Sequence, residues 1–75
     1  MNKIPQKIAS LIAQVRTFSA LGERYEIVAA LHPLKNSNWL MKIKLLDSGE
    51  FMSYPYSEIL CDPLVSKSKI TRVSI

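Results

Sequence analysis

His32 and Cys61 are the side chains best suited to nucleophilic or metal chemistry, and each of these residue types occurs once in the sequence. They lie 29 positions apart, and with Asp62 they would supply only a minimal zinc ligand set that lacks the spacing of a zinc motif. A Cys–His nucleophilic pair would also need a third group to orient the imidazole. Because His32 precedes a proline and Cys61 follows an apolar stretch, we expect an exposed imidazole and a buried thiol. No catalytic residue, metal or cofactor is predicted.

The glycines and carboxylates are also poorly placed for catalysis. A phosphate-binding loop needs several glycines within about eight residues, whereas Gly22 and Gly49 are far apart. Two predicted turns hold four carboxylates, which are Asp47, Glu50, Glu58 and Asp62. General acid–base chemistry needs such groups in a cleft with shifted pKa values, and we expect turn carboxylates to be solvated. The sequence therefore predicts a protein that is not an enzyme and has no small-molecule substrate.

Charge is distributed unevenly, with basic ends and an acidic segment between them. The formal net charge is +3 for residues 1–17, +2 for 18–46, −4 for 47–63 and +3 for 64–75. The basic side chains of the two ends are Lys3, Lys7, Arg16, Lys67, Lys69 and Arg72. Basic segments neutralise phosphates in nucleic-acid binding, or meet acidic patches in self-association. The charge pattern leaves both alternatives open.

Nucleic acid could also bind a sheet face that combines aromatic and basic side chains. The candidates are Trp39, Lys42 and Lys44 in one predicted strand, with Phe51 and Tyr54 in the next. Trp39 and Lys42 have opposite parity along their strand, so they point to opposite faces of the sheet. We therefore expect the aromatic side chains in the core and the lysines in solvent.

A single domain over residues 1–75 must position all these groups, because a chain of this length builds one hydrophobic core. Its N-terminal segment, residues 1–18, has helical spacing. The apolar residues that recur every three or four positions are Ile4, Ile8, Leu11, Ile12, Val15 and Phe18. Pro5 suits the first turn of a helix and Gly22 follows its end. The spacing predicts one amphipathic helix over about residues 4–18.

From residue 25 to residue 56 the apolar spacing changes to two, which predicts three antiparallel strands joined by turns. Pro55 cannot donate to a ladder, so the third strand is at an edge of the sheet or ends there. The sequence of residues 57–63 indicates a short helical turn capped by Ser57. We expect residues 64–75 to form a tail or an extra strand. The predicted fold class is α+β, with the N-terminal amphipathic helix packed on a small three-stranded antiparallel sheet.

One helix can cover only one face of such a sheet, which leaves apolar side chains on the other. Those expected to remain partly exposed are Leu40, Leu46, Met52, Tyr54 and Tyr56. Contiguous exposed apolar area on a small protein is typical of an interface, and open strand edges can pair with another chain. The sequence favours a protein-interaction module, as a homodimer or an accessory subunit. A small nucleic-acid-binding regulator that uses the basic ends is the alternative.

The cellular compartment is indicated by what the sequence lacks. A lone cysteine cannot form an intrachain disulfide, and secreted domains of this size usually have several. Polar residues interrupt any signal-peptide core, and no apolar run approaches the roughly 18 residues that span a bilayer. We expect a cytoplasmic protein without membrane contact.

Several short motifs from Trp39 onward resemble a family of short bacterial proteins known only as a domain of unknown function. They are the apolar–lysine alternation after Trp39, Gly49-Glu50, Tyr54-x-Tyr56-Ser57 and Leu60-x-Asp62-Pro63. The likeness covers about half of the chain, and Tyr25 and the N-terminal helix are also similar. The resemblance implies a bacterial or prophage setting and a helix followed by a small antiparallel sheet. It brings no activity, ligand or catalytic residue.

Overall fold

Extended structure dominates the computed structural model, which describes residues 3–18 and 22–67. The elements in chain order are α1 (Gln6–Ala9), β1 (Gln14–Thr17), β2 (Arg24–Pro33), β3 (Trp39–Leu45), β4 (Phe51–Pro55), α2 (Tyr56–Ile59) and β5 (Leu64–Lys67). The strands form one five-stranded sheet in the order β4-β3-β2-β1-β5, and every neighbouring pair is antiparallel. The prediction of a long helix on a three-stranded sheet is therefore wrong. Within the described ranges, no helix is long and apolar enough to cross a membrane.

The predicted helix over residues 4–18 is replaced by one helical turn and a strand. α1 ends at Ala9, and Ala13 adopts a φ of 83°, which turns the chain away from a helical path. The Ala13 N–H donates to the Ile27 carbonyl at 2.8 Å, and the chain then enters the sheet as β1. An isolated helix of this length is marginal in water, whereas β1 pairs with both β2 and β5. The helical spacing is misleading because Ile8 and Leu11 do reach the core, from α1 and the turn after it.

β2, β3 and β4 occupy the region in which three strands were predicted. Along β3, Trp39, Met41 and Ile43 are buried, and Lys42 and Lys44 point to the opposite side, as their alternation predicts. We call the side of the sheet with the two lysines the outer face, and the other side the core face. β4 is at one edge of the sheet and ends at the proline, so both predictions for Pro55 are confirmed.

β2 departs from simple alternation through two register shifts, between Ile27 and Ala29 and between Ala30 and His32. A bulge places an extra residue in one strand and so changes the side on which the following residues lie. Ala29 is consequently opposite Lys42 on the outer face, although a strict period of two would place it with Ile27 on the core face.

The core lies between the core face and the two short helices. Its buried apolar residues are Ile8, Leu11, Tyr25, Ile27, Trp39, Met41, Ile43 and Ile59. Ile8 comes from α1 and Ile59 from α2, so each one-turn helix contributes one fully buried side chain. The first residues of the predicted tail form β5, which pairs with β1. Residues 68–75 lie outside the described part of the chain.

The loop between β2 and β3 fixes the start of α2. Ser57, the predicted cap, lies inside α2 and does not cap it. The side chain of Asn38 takes that role, because its Oδ1 accepts the Ser57 N–H at 2.9 Å and its Nδ2 donates to Ser57 Oγ at 3.0 Å. The same Oδ1 accepts the Trp39 N–H at 2.9 Å. A single amide therefore ties the loop, β3 and α2 together.

Candidate binding surface

The β4 edge presents main-chain groups that the sheet does not use. The Leu45 N–H donates to the Glu50 carbonyl at 2.8 Å, and Ile43 is opposite Met52. Because hydrogen-bonded pairs alternate along an antiparallel ladder, Met52 and Tyr54 direct their N–H and C=O groups toward β3. Phe51, Ser53 and Pro55 direct theirs outward. Pro55 thus lacks only an outward donor and costs the β3–β4 ladder nothing.

Pro55 is the one residue of β4 of a type that protects sheet edges. β4 has the sequence Phe-Met-Ser-Tyr-Pro and carries no charge, although edge strands are usually guarded by charged side chains. Phe51 is 55% exposed and Met52 is 42% exposed. A groove of about 240 Å³ lies beside the edge and is lined by residues of three strands, which are Leu31, Lys42, Phe51, Met52 and Ser53. The edge therefore combines free main-chain groups with accessible apolar surface.

Phe51 lies on the outer face between the two lysines of β3. It is directly opposite Lys44, and Ser53 is opposite Lys42. Lys42 Nζ lies 4.6 Å from the centroid of the Phe51 ring, and Lys44 Nζ lies 5.9 Å from it. Both distances are within the range of a cation–π interaction. The outer face beside β4 thus carries an exposed aromatic ring next to two positive charges.

A buried hydrogen-bond cluster supports β4 from the core side. The Tyr25 hydroxyl donates to Asp62 Oδ2 at 2.7 Å, and the Tyr54 hydroxyl donates to the same oxygen at 3.0 Å. Phe18 packs against both rings, with centroids 4.5 Å from Tyr25 and 5.2 Å from Tyr54. Asp62 is buried, so the expectation that it is a solvated turn residue is wrong. Its carboxylate joins β2 and β4 to the turn before β5.

Burial keeps both tyrosine hydroxyls in the donor form. Loss of solvation, reinforced by the hydrogen bond to Asp62, raises the pKa of Tyr25 far above its ordinary value. The same two causes, in the same order, raise the pKa of Tyr54 to about 12. The cluster therefore contains stable donors, and neither hydroxyl is suited to act as a base at neutral pH.

Arg16, one of the basic candidates, is part of the internal structure. Its Nη1 donates to the carbonyls of Ile59 and Asp62 at 3.1 and 2.9 Å. Its Nε and Nη2 donate to Gln14 Oε1 at 3.1 and 2.9 Å. The guanidinium thus holds the end of α2 against β1, and we leave Arg16 out of any binding surface.

The other basic candidates are dispersed. Lys3 is exposed before α1, and exposed Lys7 has its Nζ 5.9 Å from the centroid of the Tyr56 ring. Lys67 ends β5, whereas Lys69 and Arg72 lie outside the described residues. Among the described residues, the structure gives no basic cluster made from the two ends.

The apolar candidates divide between the two faces of the sheet. Leu40 is half-buried in β3 and Leu46 is exposed in the turn after it. Met52 is exposed at the edge, and Tyr54 is held in the tyrosine–aspartate cluster. Tyr56 is half-buried at the start of α2. Among these five, Met52 alone belongs to the exposed part of the β4 edge.

The remaining chemical candidates stay apart. His32 is exposed, as predicted, and Cys61 is also exposed, so the prediction of a buried thiol is wrong. Cys61 Sγ faces the Ser57 carbonyl at 3.7 Å. Within the described ranges no group of three His, Cys, Asp or Glu side chains could hold a metal ion.

A second groove, of about 560 Å³, lies between α1, the β2–β3 loop and α2, and its lining includes Lys7, Lys35 and Tyr56.

The sequence argument from strand parity placed all the aromatic side chains in the core, and it therefore missed the position of Phe51 on the outer face. Trp39 and Tyr54 both point to the core face. This fits the expectation of core aromatic side chains, and the expectation that Tyr54 lies on the uncovered face is wrong. The tight turn after β3 sets Phe51 opposite Lys44 and hence on the lysine side. Counting residues across the turn would have separated Phe51 from the two core aromatics.

Comparison with family models agrees with the motifs from Trp39 onward. A model described as a family of unknown function, DUF5397, matches residues 1–66. The chain belongs to this family. The match covers most of the chain, so the likeness is not confined to about half of it, as the motifs indicated. It does not show a bacterial source, which stays a prediction. No curated protein matches the sequence.

Proposed function

We propose that this protein is a non-enzymatic protein-interaction module that assembles through its β4 edge with a second copy of the same chain. The supporting observation is the uncharged edge strand, whose outward main-chain groups and exposed Phe51 have no partner strand in the described residues. Strand addition at a sheet edge is a common mode of protein recognition. Homodimers with two-fold symmetry bring the same patch of each copy together.

The sequence of β4 suits antiparallel pairing with itself. A two-fold axis at Ser53 sets Ser53 opposite its counterpart and Phe51 opposite Pro55 of the second copy. The outward N–H groups of Phe51 and Ser53 then donate to the outward carbonyls of Pro55 and Ser53 across the axis. No charged residue of β4 meets its like across this axis, so pairing brings no repulsion from the paired strands themselves. The strand is short, and we expect a dimer that dissociates on dilution.

Light scattering over a concentration series tests this assembly with variants at Ser53. Wild-type protein is expected to approach twice the mass of one chain as concentration rises. Ser53→Pro removes the outward N–H without removing a bond to β3, and should stay monomeric. Ser53→Ala keeps the N–H and should dimerise like the wild type. A wild-type protein that is monomeric at every concentration would refute the proposal.

A charge exchange at the same position tests the register. Ser53→Lys and Ser53→Glu each place like charges across the axis, so each variant alone should be monomeric. An equimolar mixture should dimerise, because Lys and Glu then face each other. Circular dichroism on each variant establishes that the sheet is retained. Dimers of Ser53→Lys as stable as the wild type would show that residue 53 does not lie on the axis.

A further inference from the structure

We propose that the outer face beside β4 binds single-stranded nucleic acid, with a base stacked on Phe51 and phosphates neutralised by Lys42 and Lys44. This surface differs from the basic ends of the chain. The three side chains come from two adjacent strands, and the register Lys44 opposite Phe51 and Lys42 opposite Ser53 brings them together. We call these three side chains the platform; it is complete within one chain, so binding by it does not require pairing at the edge.

The exposed ring is the first reason for this choice of ligand. Phe51 is 55% exposed, so a ligand that covers the ring would gain by removing its apolar area from water. Bases of single strands stack on aromatic side chains of antiparallel sheets, and each stacked base contributes a gain in affinity of about 5- to 160-fold, which is about 1–3 kcal/mol. Bases of a duplex are already stacked and do not offer a face to such a ring.

The position of the charges is the second reason. Lys42 Nζ and Lys44 Nζ lie 4.6 and 5.9 Å from the ring centroid, so both positive charges are next to the site at which a base would stack. The whole chain carries a net charge of +4, which favours association with a polyanion. An acidic peptide without aromatic or apolar side chains would satisfy the lysines but would leave the ring uncovered. Nucleic acid supplies both a planar π face and negative charge.

One acidic side chain opposes the two lysines. Glu26 of β2 is opposite Lys44 in the neighbouring strand pair, and its carboxylate reduces the positive potential of the platform. Removal of this charge should therefore strengthen binding. Attraction by net charge alone predicts the same signs, so the size of each effect has to be compared with that of an equal charge change away from the three side chains.

Fluorescence anisotropy with labelled single-stranded oligothymidine, over a series of salt concentrations, tests the platform. Phe51→Leu keeps apolar bulk without the ring and should weaken binding about 5- to 160-fold. Lys42→Gln should lower the slope of log affinity against log salt by about 0.7, the value for one phosphate contact of a single strand. Glu26→Gln should tighten binding. Lys35→Gln, in the β2–β3 loop, is the control for Lys42→Gln: it lowers the net charge by the same amount but lies away from the platform, so it should weaken binding less.

Four outcomes would overturn the proposal. The first two are absence of binding by the wild type at low salt and equal affinity of Phe51→Leu and wild type. The other two are a loss for Lys35→Gln as large as that for Lys42→Gln, and equal affinity for a duplex, which would exclude stacking. Because the platform is complete within one chain, a monomer can bind the oligonucleotide. Failure of dimerisation and failure of nucleic-acid binding are therefore separate results.

Discussion

Tyr25→Phe should destabilise the fold more than the same substitution at either of the other two tyrosines. Tyr25 is fully buried and its hydroxyl donates to Asp62 Oδ2 at 2.7 Å. Tyr25→Phe removes that donor from a carboxylate that is itself buried. Hydrogen bonds to charged groups contribute about 1.5–3 kcal/mol. Since Tyr54 still donates to the same oxygen, we expect a loss of about 2 kcal/mol.

Urea denaturation followed by circular dichroism measures this loss. The midpoint should fall with an unchanged slope, because the surface exposed on unfolding is the same. For a domain of this size, about 2 kcal/mol corresponds to a melting temperature lower by about 10 °C. Tyr56→Phe is the matched control, since the structure gives the Tyr56 hydroxyl no hydrogen bond among the described residues, and it should change stability by less than about 0.5 kcal/mol. Equal stabilities for the two variants would refute the structural role of the tyrosine–aspartate cluster.

Three further predictions concern stability. The pKa values of Tyr25 and Tyr54 are raised in the folded state, so above about pH 10 the unfolded chain loses these protons before the folded chain does. The free energy of unfolding should therefore fall by up to about 1.4 kcal/mol per pH unit for each tyrosine, up to about pH 12. Tyr54→Phe should make this decline less steep in urea titrations at several pH values, and an unchanged slope would contradict the prediction. Ala13→Gly should raise the free energy of unfolding by about 1 kcal/mol, because φ at residue 13 is 83° and only glycine adopts this angle without strain. A melting temperature lower than that of the wild type would argue against this conformation. Asn38→Ala should cost about 1–2 kcal/mol through loss of the bonds to Ser57, whereas Asn38→Asp keeps the acceptor and should cost less, an order that calorimetry can check.

The part of the fold that the sequence predicts best is the hairpin of β3 and β4. Alternation of lysines with large apolar residues identifies both faces of β3, and the edge position follows from Pro55. These features are local, because strand parity and the missing donor of proline act within a few residues. The N-terminal segment was mispredicted because its spacing fits a helix, whereas pairing with β2 and β5 decides its structure. Nothing in the sequence indicates that Ala13 adopts a positive φ.

The candidate site was harder to predict because its contacts join distant positions. Tyr25 and Asp62 are 37 residues apart in the chain, so their hydrogen bond is a product of the whole sheet order. Asp62 has the sequence context of a turn residue, and its side chain is buried where it accepts hydrogen bonds from Tyr25 of β2 and Tyr54 of β4. Phe51 and Lys44 are close in sequence, and their proximity follows from the turn geometry. Long-range packing therefore limits prediction of the core cluster more than prediction of the platform.

Amide hydrogen exchange along β4, measured by nuclear magnetic resonance at low and high protein concentration, tests the central claim most directly. The Met52 and Tyr54 amides face β3 and should be protected at both concentrations. The Phe51 and Ser53 amides face outward and should exchange rapidly in dilute protein, then become protected as concentration rises. Outward amides that stay equally unprotected at every concentration would contradict assembly through the β4 edge.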